Sequence, residues 1–94
     1  MVTVVVAPRA LAQLRRAVEH WERDHPGRWS RLADEVARAL ELLASFPEIG
    51  ISVGRSKRRK LLLPDVGYCL YYVRRTERVE VIAVWHTSRG RAPR

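Results

Sequence analysis

Two groups of residues in this chain carry side chains suited to gripping an anion. The first closes the last apolar segment, where Trp85-His86-Thr87-Ser88-Arg89 sets an imidazole three positions before a guanidinium. Histidine titrates near neutrality and serves as acid or base. Arginine offers a planar fork of donors that fits phosphate or carboxylate oxygens. The second group is Arg55-Ser56-Lys57-Arg58-Arg59-Lys60, five basic residues in six positions. Charge on an edge strand guards against edge-to-edge association, which accounts for one or two of them. The others repel one another and point to an acidic partner.

The composition agrees. The 94 residues carry a formal charge of +8, and Lys57 and Lys60 are the only lysines. That length has room for one domain, residues 1–94, with one modest core. Cys69 is the single cysteine, so no intramolecular disulfide forms, and its apolar strand context suits a buried, inert thiol. No segment approaches the ~20 apolar residues of a membrane span. The opening Val2-Thr3-Val4-Val5-Val6 is too short for a signal-peptide core. The expectation is a cytoplasmic protein with no membrane partner. No spacing of His, Cys, Asp and Glu suggests a metal site, and no Gly-rich loop suggests a nucleotide, so no cofactor is expected.

The elements that must position these groups follow from periodicity. Val2 to Val6 reads as a short strand, and Pro8 opens a helix reaching Asp24. Its apolar stripe is Leu11, Leu14, Val18 and Trp21. His20 falls among its charges as a solvated residue. His25-Pro26-Gly27 breaks it, with His25 placed to help cap the next helix. That helix runs from about Trp29 to Phe46, with Trp29, Leu32, Val36, Leu40 and Leu43 as its stripe and Ala33, Ala37 and Ala44 beside it. Pro47 and Gly50 end it, and residues 49–56 read as a loop. Three strands follow, at about Arg58 to Leu63, Tyr68 to Arg74 and Arg78 to Trp85, joined by turns at Pro64-Asp65-Val66-Gly67 and Arg75-Thr76-Glu77. The class is α+β, an antiparallel helical hairpin on a mostly antiparallel sheet. Strict alternation puts Val79, Val81, Ala83 and Trp85 on one face of the last strand and Glu80, Ile82, Val84 and His86 on the other. Tyr71 and Tyr72 point to opposite faces, so at least one is expected to reach solvent or a partner. The tryptophans read as packing residues.

In this order, several segments together carry a resemblance: the opening strand, the hairpin, Phe46-Pro47-Glu48-Ile49-Gly50, Arg58-Arg59-Lys60-Leu61-Leu62-Leu63, Tyr68-Cys69-Leu70-Tyr71-Tyr72-Val73 and Val81-Ile82-Ala83-Val84-Trp85-His86-Thr87-Ser88-Arg89. The chain resembles the RelE/ParE superfamily, the small basic toxins of bacterial type II toxin–antitoxin pairs. The resemblance implies a compact α+β toxin neutralised by an acidic antitoxin. It also implies one of two activities. ParE-like members poison DNA gyrase and have no established catalytic residues; RelE-like members cut messenger RNA on the ribosome.

A metal-independent ribonuclease needs a base for the ribose 2′-hydroxyl, cations for the phosphate and an acid for the leaving oxygen. His86, with Arg59 and Arg89, is the candidate set. Lys57, Arg58 and Lys60 would hold flanking phosphates, and Tyr71 or Tyr72 would stack on a base. That set is incomplete: no tyrosine follows His86, and Asp65, Glu77 and Glu80 have no evident pairing with it. The first expectation is therefore a ParE-like gyrase inhibitor that arrests replication and growth. The alternative is a RelE-like ribosome-dependent endonuclease, and a plain nucleic-acid-binding module is a third reading. Arg55, Lys57, Arg58, Arg59, Lys60 and Arg89 are the expected target-binding residues. Trp29, Leu32, Arg58 and Lys60 are the expected antitoxin contacts.

Overall fold

A computed structural model describes residues 1–26 and 30–87. Trp29 and Arg89 lie outside the described residues. Among those described, the order is β1 (Thr3–Val6), α1 (Pro8–Asp24), α2 (Arg31–Ser45), β2 (Ile51–Ser52), β3 (Arg58–Leu63), β4 (Tyr68–Arg74) and β5 (Arg78–His86). The sheet order is β1-β5-β4-β3-β2. β1 joins β5 in parallel and the other pairs are antiparallel. This is the expected two-helix, mostly antiparallel α+β arrangement, with one strand added. β2 escapes a reading by periodicity because two residues show no alternation; it exists because Ile51 and Ser52 meet Lys60 and Arg59.

Each helix begins and ends for local reasons. Pro8 opens α1, where its missing N–H costs nothing. His25 closes that helix rather than capping α2: its backbone N–H and its Nδ1 both meet the Trp21 carbonyl, at 3.0 and 2.9 Å, and its ring stacks on Trp21 at 4.0 Å. Ser30 caps α2, its Oγ accepting from the Ala33 N–H at 3.2 Å. Leu32, Val36, Ala39 and Leu43 form the buried stripe of α2. Ala33 and Ala37, expected beside that stripe, are exposed. In α1 the fully seated residues are Ala10 and Ala17, while Leu14, Val18 and Trp21 pack partly buried around them and Leu11 is exposed. Small residues let α1 lie close to the sheet.

The main core fills the space between the helices and one sheet face, with Leu32, Leu43, Leu70, Tyr72, Val79 and Val81 its largest fully buried side chains. Each such aliphatic residue contributes about 1.5–3 kcal/mol. A second, smaller cluster lies elsewhere in the sheet: Cys69, Tyr71 and Ala83, flanked by Val53, Ile82 and Trp85. Both Tyr71 and Tyr72 are thus buried, one in each cluster, and neither is a ready platform for a base.

β5 does not keep strict alternation. Tyr71 faces Ala83 while Tyr72 faces Val81, so Ile82 is an extra residue in β5. Val79 and Val81 join the main core before this bulge, and Val84 joins it after. Ala83 and Trp85 belong to the second cluster. The fourfold grouping expected from period two is therefore split at Ile82.

Two polar contacts fix the ends of the sheet. The buried Tyr72 hydroxyl accepts from the Gly50 N–H at 2.7 Å. A Cβ at Gly50 would meet that hydroxyl at 2.6 Å, the Tyr72 ring at 2.7 Å and the Lys60 carbonyl at 2.8 Å. At the other side, β1 ends at Val6, whose partner is Val81. Past that point the Gln13 side chain takes the place of a strand, its Oε1 accepting from the Val84 N–H at 2.9 Å.

Gly50→Ala should destabilise the fold by about 1–3 kcal/mol through overpacking, and Tyr72→Phe by a similar ~1–3 kcal/mol through an unsatisfied buried N–H. Thermal melts should show both as drops of several degrees; an unchanged melting temperature in either would contradict the junction described. Gln13→Ala should cost about 1 kcal/mol and speed hydrogen exchange at the Val84 amide more than at its β4-paired neighbours.

Candidate functional site

The basic run divides between a turn and two sheet faces. Arg55 and Lys57 are exposed in the turn before β3. This turn is tied by Ser56, whose Oγ donates to the Val53 carbonyl at 2.8 Å and accepts from the Arg58 N–H at 3.1 Å. Gly54, at φ 55°, supplies its left-handed position. Within β3, alternation sends Arg59 to the side of Leu61 and Leu63, and Arg58 and Lys60 to the opposite side.

Arg59 is engaged in the scaffold. Its Nη1 donates to the Gly50 carbonyl at 2.8 Å and the Glu48 carbonyl at 3.2 Å, holding the segment between α2 and β2 against the sheet. Lys60 lies across from Tyr71. Burial pushes the Cys69 thiol up from its ordinary range, against a hydrogen bond from Tyr71 and the charge of Lys60, which act the other way. Burial likewise raises the Tyr71 phenol, with Cys69 adding to the effect. Both groups stay protonated at neutral pH, and Cys69 is buried as expected.

His86 closes β5 opposite Tyr68, its ring edge-on to that phenol with centroids 4.9 Å apart and planes at 82°. Next to it, Thr87 anchors the strand end: its N–H and its Oγ1 both donate to the Gly67 carbonyl at 2.9 Å. Gly67 sits at φ 71° in the turn before β4. His86 lines a cleft of about 290 Å³ beneath α1, together with Gln13, Arg16, His20 and Arg23. Periodicity alone could not find this cleft, because it combines one helix stripe with a strand end far away in sequence.

The structure does not bring His86 and Arg59 together. Arg59 pairs with Tyr72 and His86 with Tyr68, on opposite sides of β4. Four positions along a strand are roughly 13 Å. Leu32, expected as an antitoxin contact, is fully buried and holds α2 to the sheet. Among the described residues, no group of His, Cys, Asp or Glu is arranged to hold a metal ion, and no helix is long and apolar enough to cross a membrane.

A shallow groove runs between α2 and β3, lined by Glu35, Arg38, Ala39, Leu42 and Leu62. Leu42 is 37% exposed and Leu62 46%. β2 covers β3 only at Arg59 and Lys60, so the outer edge of Leu61–Leu63 has no strand beside it among the described residues.

Comparison with known proteins agrees with this architecture. Residues 4–91 match the family model for the ParE toxin of the type II toxin–antitoxin system parDE. The chain is 31% identical over 78 residues to the putative toxin Y4kP of Sinorhizobium fredii, covering 83% of this chain and 80% of that one. Its fold is similar to the isolated E. coli RelE toxin, with TM-score 0.71 and 22% identity over 96% of this chain and 88% of RelE. It is also similar to a chain of the chromosomal ParDE system of P. aeruginosa, with TM-score 0.69 and 12% identity over 94% and 98% of the two chains. With the family model matched across nearly all of its length, the chain belongs to the ParE toxin family of type II toxin–antitoxin systems.

Proposed function

We propose that this toxin acts in the ParE manner, binding DNA gyrase and blocking it by protein–protein contact. The observation that carries the reading is the separation of the groups an acid–base ribonuclease would need. Arg59 is occupied by the Glu48 and Gly50 carbonyls, and His86 stands at the far end of β4 from it. An interaction inhibitor needs no such constellation. It needs a charged surface, which the exposed Arg55 and Lys57 and the half-buried Arg58 and Lys60 supply.

The antitoxin-free protein should abolish supercoiling by purified gyrase or trap its DNA-cleavage complex, and His86→Ala should retain that effect to within about twofold, since no proton transfer is involved. A folded, growth-arresting protein with no action on gyrase would instead favour the ribosome as target. Loss of toxicity on His86→Ala would then mark His86 as an acid or base.

The groove between α2 and β3 suits the antitoxin. Leu42 and Leu62 offer apolar anchors, the uncovered edge of β3 offers backbone hydrogen bonds, and Arg58 and Lys60 attract an acidic chain. A flexible acidic segment folding over this edge would cover both kinds of surface. Leu62→Asp should weaken antitoxin binding by tenfold or more, about 1.4 kcal/mol, with the melting temperature of the free toxin nearly unchanged. Calorimetric titration checks this; wild-type affinity would remove the groove from the interface.

A further inference from the structure

The cleft beneath α1 is built and charged, and it lies outside the surfaces proposed above for gyrase and the antitoxin. Gln13, Arg16 and His20 recur at helical spacing on one face of α1, with Arg23 a turn further on. Gln13 is fixed by its hydrogen bond to the Val84 N–H, which holds this stripe over the end of β5. His86 forms the opposite wall, seated against Tyr68.

Among the described residues, no carboxylate lines the cleft. Arg31, Arg38, Arg74 and Arg75 each have an acidic partner, whereas Arg16 and Arg23 have none among the described residues. At its rim, Asp24 Oδ2 lies 3.3 Å from His20 Nε2 in an exposed pair. The cleft thus holds two guanidinium groups with no ion pair among the described residues, two imidazoles and an amide around about 290 Å³. A carboxylate presents two oxygens in one plane and would engage one wall. A phosphate presents oxygens in a tetrahedron and can accept from both walls at once, including a bidentate fork from an arginine. The volume suits a phosphate with part of an attached sugar or base.

We propose that the α1–β5 cleft is a phosphate-binding site, with Arg16 and Arg23 as its principal cations and His86 as its opposite wall. The phosphate belongs either to a nucleic-acid backbone or to a free nucleotide. The site does not depend on gyrase being the target, since binding is read on the isolated protein.

The test follows the imidazole resonances of His20 and His86 by NMR as inorganic phosphate, a mononucleotide or a short single-stranded oligonucleotide is added to the antitoxin-free full chain. Saturable shifts at His86 are expected. Arg16→Ala should weaken binding by roughly tenfold or more, as loss of a charge-assisted contact does. Arg16→Lys, which keeps the charge and loses the fork, should fall between. Arg15→Ala is the control: the residue is exposed, removes the same charge and does not line the cleft. It should leave affinity unchanged within twofold. Whichever of the three probes binds most tightly through Arg16 identifies the source of the phosphate. Motionless imidazoles, or equal losses from Arg15→Ala and Arg16→Ala, would overturn the proposal.

Discussion

The inserted residue at Ile82 sets what the central strand can do. β5 lies between β1 and β4, and it must serve the helix-covered core along its whole length while β1 accompanies only its first half. The bulge changes the phase of the strand where its neighbour runs out. Val79 and Val81 seat the core beside β1, and Val84 resumes the same duty beside Gln13. Without the insertion, Ala83 and Trp85 would turn toward the helices and His86 would leave the wall beneath α1. The main core, the second cluster and the basic cleft all depend on that one offset.

A second constraint acts at the opposite side of the sheet. Gly50 is where the chain returning from α2 passes against Tyr72 and the β3 backbone with no room for a side chain. Its N–H goes to the Tyr72 hydroxyl and its carbonyl to Arg59. A cation in the middle of a basic run thus stabilises backbone rather than awaiting a ligand. Charge density in a sequence counts side chains, and only the face each one takes separates those that hold the fold from those that meet a partner.

This explains what was legible beforehand. Long periodic stretches announce themselves: α1 has its expected bounds, and β3, β4 and the two hairpin turns lie where alternation and turn chemistry put them. Family membership was legible because it rests on the order of these pieces. The two-residue β2, the bulge and the close seating of Ala10 and Ala17 were not, since each is decided by a partner distant in sequence. The same holds for the candidate sites. Arg58 and Lys60 face away from the main core, whereas Leu32 is interior and Arg59 is committed to carbonyls. Arg16 and Arg23 carry no signal of their own in the sequence, because on a helix read alone they are ordinary solvated charges.

The parallel pairing of β1 with β5 also bears on how the chain reaches its fold. Thr3 lies beside Arg78 and Val6 beside Val81, so the first strand finds its partner only once the last is in place. The hairpins β3–β4 and β4–β5 and both helices are local and can form early. Docking β1 closes a loop through most of the chain, a step that is slow because its entropy is lost before its contacts form. Until then the outer edge of β5 is bare and β1 is a loose apolar segment. The transition state for folding should accordingly resemble the C-terminal meander with α2 laid on it. Substitutions in β1 would then speed unfolding far more than they slow folding.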